Sequence, residues 1–196
     1  ASAEGLSDPV VKISANLYGA PALSLEEFKN YQQDLIIGAS LAASIPWGKY
    51  NSEQMLNVGA NRSLIQPAIG ASQAVGPWRL ELAGMATIYT SNTSFLGSNT
   101  LSQNPIYSSE AHVIYYFQNM AYISADATYF TVGQKYVNGT AITGSQENWR
   151  FGSTMSYPIN KHNSIRLTGS KGVYSNTNTD YTALGLSWQY RWGGGL

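Results

Sequence analysis

The 196-residue sequence has no cysteine, two histidines, and only 11% charged residues, against roughly 25% in an ordinary soluble domain. Each shortage excludes something. No disulfide framework can form, and two histidines offer no spacing from which to build a metal site. Eleven basic and eleven acidic residues cancel to zero net charge, so the basic surface that a nucleic-acid binder needs is missing. Also missing is any apolar run of the roughly 20 residues that a spanning helix requires. The best candidate, Leu35 to Trp47, is broken by Gly38, Ser40 and Ser44. The opening ASAEGLSDPVVK has neither the basic start nor the apolar core of a signal peptide, as expected of a mature, processed or cytosolic chain. What is present is 43% apolar residues, 19 Gly, 14 Tyr, five Trp and five Phe, too much aromatic character for a disordered chain. A strand-built protein remains, either soluble or membrane-spanning.

Period-2 alternation runs from end to end. In Tyr181 to Trp192 one face reads Leu184, Leu186, Trp188, Tyr190, Trp192, and the other Ala183, Gly185, Ser187, Gln189, Arg191. Such alternation predicts half-buried strands, at about 9–20, 33–47, 61–75, 78–92, 104–118, 121–133, 146–159, 163–175 and 180–192. Most are longer than the roughly 5–6 residues typical of globular proteins, and a tilted strand crossing a bilayer needs about 9–11. Tight turns at Val75 to Pro77, Gln118 to Met120 and Pro158 to Asn163 alternate with longer polar loops at 48–60, 92–103, 134–145 and 176–179. Membrane barrels have short turns on the periplasmic side and longer loops outside, so the turns are assigned to the periplasm. One segment departs from the pattern: Ser24-Leu25-Glu26-Glu27 resembles a capping box, which predicts a short periplasmic helix or loop over 24–31.

Alternation also fits a soluble sandwich, so the placement of aromatics matters more. On the apolar faces Trp78, Phe117, Tyr157, Tyr190 and Trp192 lie at the periplasmic strand ends, and Tyr107, Tyr129, Trp149 and Phe151 near the opposite ends. Small and aliphatic residues such as Leu82, Ala86, Val113, Ile123, Leu184 and Leu186 fill the space between. Two aromatic girdles around an aliphatic band are the mark of a bilayer-spanning barrel; a sandwich core gives no reason for the segregation. The opposite faces carry Lys12, Arg79, Glu81, Glu110, His112, Asp126, Arg150, Arg166 and Arg191, read as lining the lumen. By position, Arg79, Glu81, Arg166 and Arg191 are expected near the periplasmic end, with Asp126 one level up. Lys171 is the exception, sharing the phase of Ile165 and Leu167. It either snorkels to a headgroup phosphate or is turned inward by a bulge at Gly169 or Gly172.

The order of segments resembles an outer-membrane family named for the meta-pathway of phenol degradation. The resemblance is carried by NLYGAPALSLEEF (16–28), GASLAASIPWGKY (38–50), NVGANRSLIQPAIGASQAVGPWRLELAG (57–84), NPIYSSEAHVIYYF (104–117), ADATYFTVG (125–133) and LGLSWQYRW (184–192). It implies an outer-membrane barrel of a Gram-negative bacterium that transports small aromatic or other apolar solutes. It also implies about three strands before NLYGAPAL, so that nine strands here become twelve in a complete barrel. The expectation is that an N-terminal part is missing or supplied as another fragment, with a homo-oligomer as the alternative partner. Expected partners are outer-membrane lipid and lipopolysaccharide, the solute, and the barrel-assembly machinery, which reads a terminal aromatic; here GGGL follows Trp192.

Chemistry beyond transport has little support. His112, Asp126 and the serines suggest a hydrolase, in which histidine takes a proton from serine and a carboxylate orients it. No outward serine accompanies them, His162 sits in a turn beside Lys161, and no G-x-S-x-G occurs. No catalytic residue, metal or cofactor is therefore expected, and SNTNTD (175–180) reads as a solvated turn. The charged lumen residues either set a transverse field that steers solutes or pair into a network that plugs the barrel. A passive small-molecule channel is the first reading; a plugged barrel with a structural or surface-interaction role is the alternative.

Overall fold

The computed structural model describes residues 2–143, 146–175 and 182–192. In chain order its elements are β1 (Val10–Tyr18), α1 (Leu25–Lys29), β2 (Leu35–Ser44), β3 (Leu64–Val75), β4 (Trp78–Tyr89), β5 (Asn92–Phe95), β6 (Asn99–Gln103), β7 (Ile106–Tyr116), β8 (Tyr122–Val132), β9 (Lys135–Val137), β10 (Thr140–Thr143), β11 (Gln146–Pro158), β12 (Asn163–Ser175) and β13 (Thr182–Tyr190). Nine of them form one antiparallel sheet in the order β1-β2-β3-β4-β7-β8-β11-β12-β13. These are the nine strands that alternation predicts, and each pairs with its neighbour in the meander.

The tight turns set the registers. Gly76, at φ +56°, supplies the left-handed conformation of a two-residue turn closed by the Val75–Trp78 pair. At the next such turn the Phe117 N–H donates to Ala121 O, and Asn119 Oδ1 accepts the Ala121 N–H. In the third, Asn160 Oδ1 accepts the N–H groups of both His162 and Asn163, at 2.9 Å each. Such Asn side chains substitute for backbone acceptors and hold the chain in a turn.

Two of the longer connections are more ordered than their polar composition suggests. They contain β5-β6 and β9-β10, which join into a four-stranded sheet ordered β5-β6-β9-β10. That order repeats β4-β7-β8-β11, the strands these segments continue, so the wall extends past a break at Asn104-Pro105 and Gly133. Asn92, only 1% exposed, ties this extension to the 45–63 connection. Its Nδ2 donates to the Tyr50 hydroxyl and Ala60 O, and its Oδ1 accepts from Asn61 Nδ2 and the Ser94 N–H. The Asp8 carboxylate anchors the same connection, accepting the N–H groups of Gly48 and Ala60 at 2.7 Å each. The loop predicted at 176–179 and the GGGL tail lie outside the described residues.

The capping box forms. The Ser24 hydroxyl accepts the Glu27 N–H, and Glu27 Oε2 accepts the Ser24 N–H at 2.8 Å. The helix spans 25–29, shorter than the 24–31 predicted, and the Tyr31 hydroxyl then donates to Gly19 O. Bonds from the Ser24 backbone and then from its hydroxyl hold the Glu27 carboxyl below its ordinary range.

The two faces of the long sheet differ in exposure. Small polar residues on one face are covered by their neighbours: Thr87, Ser124, Ser156 and Ser164 are all buried. On the other face large apolar side chains stand free, Leu82 at 62% and Leu184 at 81%. A sheet curved toward its polar side produces this asymmetry, because the concave face crowds and the convex face splays. Among the described residues β1 and β13 do not pair with each other. As first and ninth strands of an antiparallel sheet they run in the same direction.

Lys171 keeps the outward phase. The β11–β12 register shift falls after it, where Trp149 faces Tyr174 and Arg150 faces Gly172. Lys171 itself lies opposite Phe151. A bulge is therefore present beside Gly172, but one position too late to turn the lysine inward.

Candidate functional site

The registers thread one row of inward residues across seven strands: Ser72, Glu81, His112, Asp126, Gly152, Ser170 and Ala183, each directly opposite the next. Position along the sequence had placed Glu81 near the periplasmic ends and Asp126 one level higher. The structure puts Glu81, His112 and Asp126 on the same level. The β4–β7 register, across the connection that holds β5 and β6, sets Glu81 opposite His112, and the turn at 117–121 sets His112 opposite Asp126; those offsets cannot be read from strand composition.

His112 is the hub of the row. Its Nδ1 lies 2.6 Å from Asp126 Oδ1, and its Nε2 lies 4.0 Å from Glu110 Oε2. Asp126 Oδ2 accepts the Ser124 hydroxyl at 3.0 Å. Glu81 accepts a bond from the Ser72 hydroxyl, which Gln33 Nε2 bonds in turn at 2.9 Å. Carboxylates thus flank the imidazole on both sides. A hydrolytic triad needs a serine hydroxyl on the histidine, whereas Ser124 bonds the carboxylate instead. Among the described residues no group of three His, Cys, Asp or Glu side chains is arranged to hold a metal ion.

The cations lie above and below this row. Arg79, one inward position toward the Gly76 turn, places its guanidinium 5.2 Å from the Tyr116 ring, and Tyr116 meets Tyr122 at 5.5 Å. Arg166 pairs with Ser156, which also pairs with Tyr122. Arg150 faces Thr128, itself opposite Glu110, one inward pair toward the other end. Lys12 pairs with buried Ala42 near the edge strand. Arg191 follows β13, and its backbone N–H donates to His162 O. The expected lumen set therefore divides into an acidic row flanked by arginines.

Sequence reasoning overlooked two parts of this face. Tyr116 and Tyr122 point inward, although Tyr116 shares the phase of Glu110 and His112 and was legible from that phase. Arg62, just before β3, was also missed. Its guanidinium lies 4.2 Å from the Tyr89 ring centre, and Nη2 donates to Gln103 Oε1 at 2.8 Å. Burial lowers its pKa, and the charge of Tyr89 acts in the opposite sense.

Glycines open the wall beside the row. His112 borders two recesses of about 370 and 340 Å³. Gly152 and Gly185 line the first, Gly38 and Gly70 the second. A Cβ at Gly70 would sit 3.4 Å from Ala83 Cβ and Leu82 O, and one at Gly152 would sit 3.2 Å from Gly169 O and 3.4 Å from Ser170 Cβ. Both glycines share the inward phase, Gly70 opposite Ala83 and Gly152 opposite Asp126.

On the outer face the aromatics cluster at both ends. Trp78, Tyr115 and Phe117 meet edge-on at 4.8 and 5.0 Å near the turns, where the Tyr190 ring also lies 6.1 Å from Trp192. At the opposite end Trp149 meets Tyr129 at 5.0 Å and Phe151 at 5.9 Å. Tyr157 and Tyr107, each exposed, complete the two levels.

A family profile described as "Putative MetA-pathway of phenol degradation" matches residues 1–192. The chain belongs to this family. Its fold is similar to the crystal structure of an outer-membrane channel from Pseudomonas putida F1, with a TM-score of 0.78 and 21% identity over 95% of this chain. The chain spans 66% of the length of that channel. No curated protein matches it. The fold is that of an antiparallel outer-membrane barrel wall, and the paired aromatic belts are the feature such a wall carries at its two interfaces. The residues on the inner face are thus candidates for lining a lumen, and those on the outer face for facing lipid.

Proposed function

We propose that this family member lines a passive channel for small molecules, with the Glu81–His112–Asp126 row and its two glycine recesses on the solute path. The observation that carries the proposal is the contrast along the inner wall, with Glu81, Glu110, His112 and Asp126 grouped on β4, β7 and β8 and a recess on either side, one lined by Gly38 and Gly70 and the other by Gly152 and Gly185. A plug of paired charges would engage Arg79 with the carboxylates of the row, whereas its guanidinium lies over the Tyr116 ring. The likeness to a channel fold supports the same reading.

Closure follows from the unpaired edges. Hydrocarbon leaves no partner for free backbone groups, so β1 and β13 each require a further strand. Because they run in one direction, only an odd number of added strands closes the sheet with antiparallel pairing throughout. Three gives the twelve that the family resemblance implies and satisfies the even count of single-chain bacterial barrels.

Small aromatic or apolar solutes suit the wall, where Tyr116, Tyr122 and the recesses offer ring-sized apolar surface beside polar anchors. No catalytic step is assigned to it. The test is swelling of liposomes containing the full-length protein in small neutral and aromatic solutes. Flux is expected for wild type and a lower flux for Gly70→Leu with Gly152→Leu. Absence of wild-type flux favours the plugged, structural alternative.

A further inference from the structure

Within the nine-stranded sheet Lys171 is the one Lys or Arg with a described side chain on the lipid-facing side. The register holds it there. It lies between Phe151 on β11 and Thr182 on β13, and the β-bulge that would reverse its phase comes only after it. A one-residue slip exchanges the two faces of a strand, so an earlier bulge would have sent this cation into the lumen at no cost in chain length.

Its surroundings fix its depth. Phe151 stacks on Trp149 with 7° between the ring planes, and Tyr129 packs against Trp149. These rings form the aromatic belt at the end opposite the tight turns. Such belts mark the boundary between hydrocarbon and headgroups, and short turns mark the periplasmic end, so Lys171 stands at the outer-leaflet boundary. There its methylene stem lies along apolar surface while the ammonium reaches the headgroup layer. The opposing Thr182 adds a hydroxyl donor at the same level. An ammonium and a hydroxyl above a ledge of rings match an anionic phosphate whose acyl chains pack on that ledge.

We propose that Lys171 and Thr182, with the Tyr129–Trp149–Phe151 ledge, bind the phosphate of an outer-leaflet glycolipid of the lipid A type. The ammonium acts as a compact charge toward phosphate. The inference rests on the outer-membrane barrel and is independent of whether the lumen conducts.

The test uses the full-length protein extracted from outer membranes, with native mass spectrometry of bound bisphosphorylated lipid A and of its dephosphorylated form. Wild type is expected to prefer the phosphorylated lipid about fivefold, the worth of one lysine beside an anionic lipid surface. Lys171→Met removes that preference and Lys171→Arg retains it, while both keep heat-modifiable migration on gels and wild-type solute flux. Equal binding of the two lipids by wild type, or an undiminished preference in Lys171→Met, overturns the proposal. Loss of flux with the lipid preference intact would instead count against the channel.

Discussion

Replacing Glu81 with glutamine removes one negative charge from the inner row while keeping the side chain's shape and its contact with Ser72. If the row faces the aqueous path, a monovalent cation passing roughly 6 Å away loses about 0.7 kcal/mol of attraction at the dielectric of water. Screening over a Debye length of about 10 Å at 0.1 M salt reduces this to about 0.4 kcal/mol. Cation occupancy therefore falls about twofold and anion occupancy rises by a similar factor. Their permeability ratio shifts about fourfold toward anions. Reversal potentials across planar bilayers under a potassium chloride gradient read this ratio directly. Raising the salt to 1 M, where the Debye length is about 3 Å, should shrink the shift to about 1.4-fold. Glu53→Gln, an exposed change in the 45–63 connection, is the control and should leave the ratio unchanged. An identical reversal potential for wild type and Glu81→Gln at 0.1 M would show that the row does not border the path, and would refute the channel-lining assignment.

Other outcomes follow from individual contacts. Asp126→Ala leaves His112 Nδ1 without its 2.6 Å partner and should cost about 1–3 kcal/mol, seen as a lower urea midpoint in lipid vesicles. Asn92→Ala should cost a similar roughly 1–3 kcal/mol, because four hydrogen bonds converge on a buried side chain. It should expose the 51–57 segment to limited proteolysis while the nine-stranded sheet stays intact. The α1 cap should depend on acid. Because the Glu27 pKa is depressed on folding, its contribution is present above the unfolded carboxyl pKa and is lost as pH falls through the lower folded value. Amide exchange at Glu27 should accelerate over that acidic window, and Glu27→Gln should remove the pH dependence. Gly70→Leu fills a recess without a backbone clash, so its folded yield should match wild type while flux of aromatic solutes falls.

The extent to which the sequence foretold these features differed by level. Strand number and phase were legible because a half-exposed strand must alternate, and here one side meets hydrocarbon, where a midplane Lys or Arg costs about 2–4 kcal/mol. That constraint keeps the strand charges mostly on one face and accounts for the scarcity of charge in the whole sequence. The aromatic belts were legible for the same reason, since Trp and Tyr favour the interface wherever a strand crosses it. The Ser24–Glu27 cap was legible because it is a purely local exchange of hydrogen bonds.

The rest depends on relations between strands. Whether Glu81 shares a level with His112 and Asp126 depends on the β4–β7 register, across the connection that holds β5 and β6, and on the turn at 117–121, each of which shifts a whole strand against its neighbour. The side on which Lys171 emerges depends on a single extra residue placed after it rather than before. The β5-β6-β9-β10 extension arises because polar segments without strong alternation gain partners from the strands they continue. Composition and period thus determined that this chain builds a barrel wall, with one face for lipid and one for polar groups. Tertiary structure decided which inward groups meet, because hydrogen-bond register is a property of paired strands and no strand carries it alone.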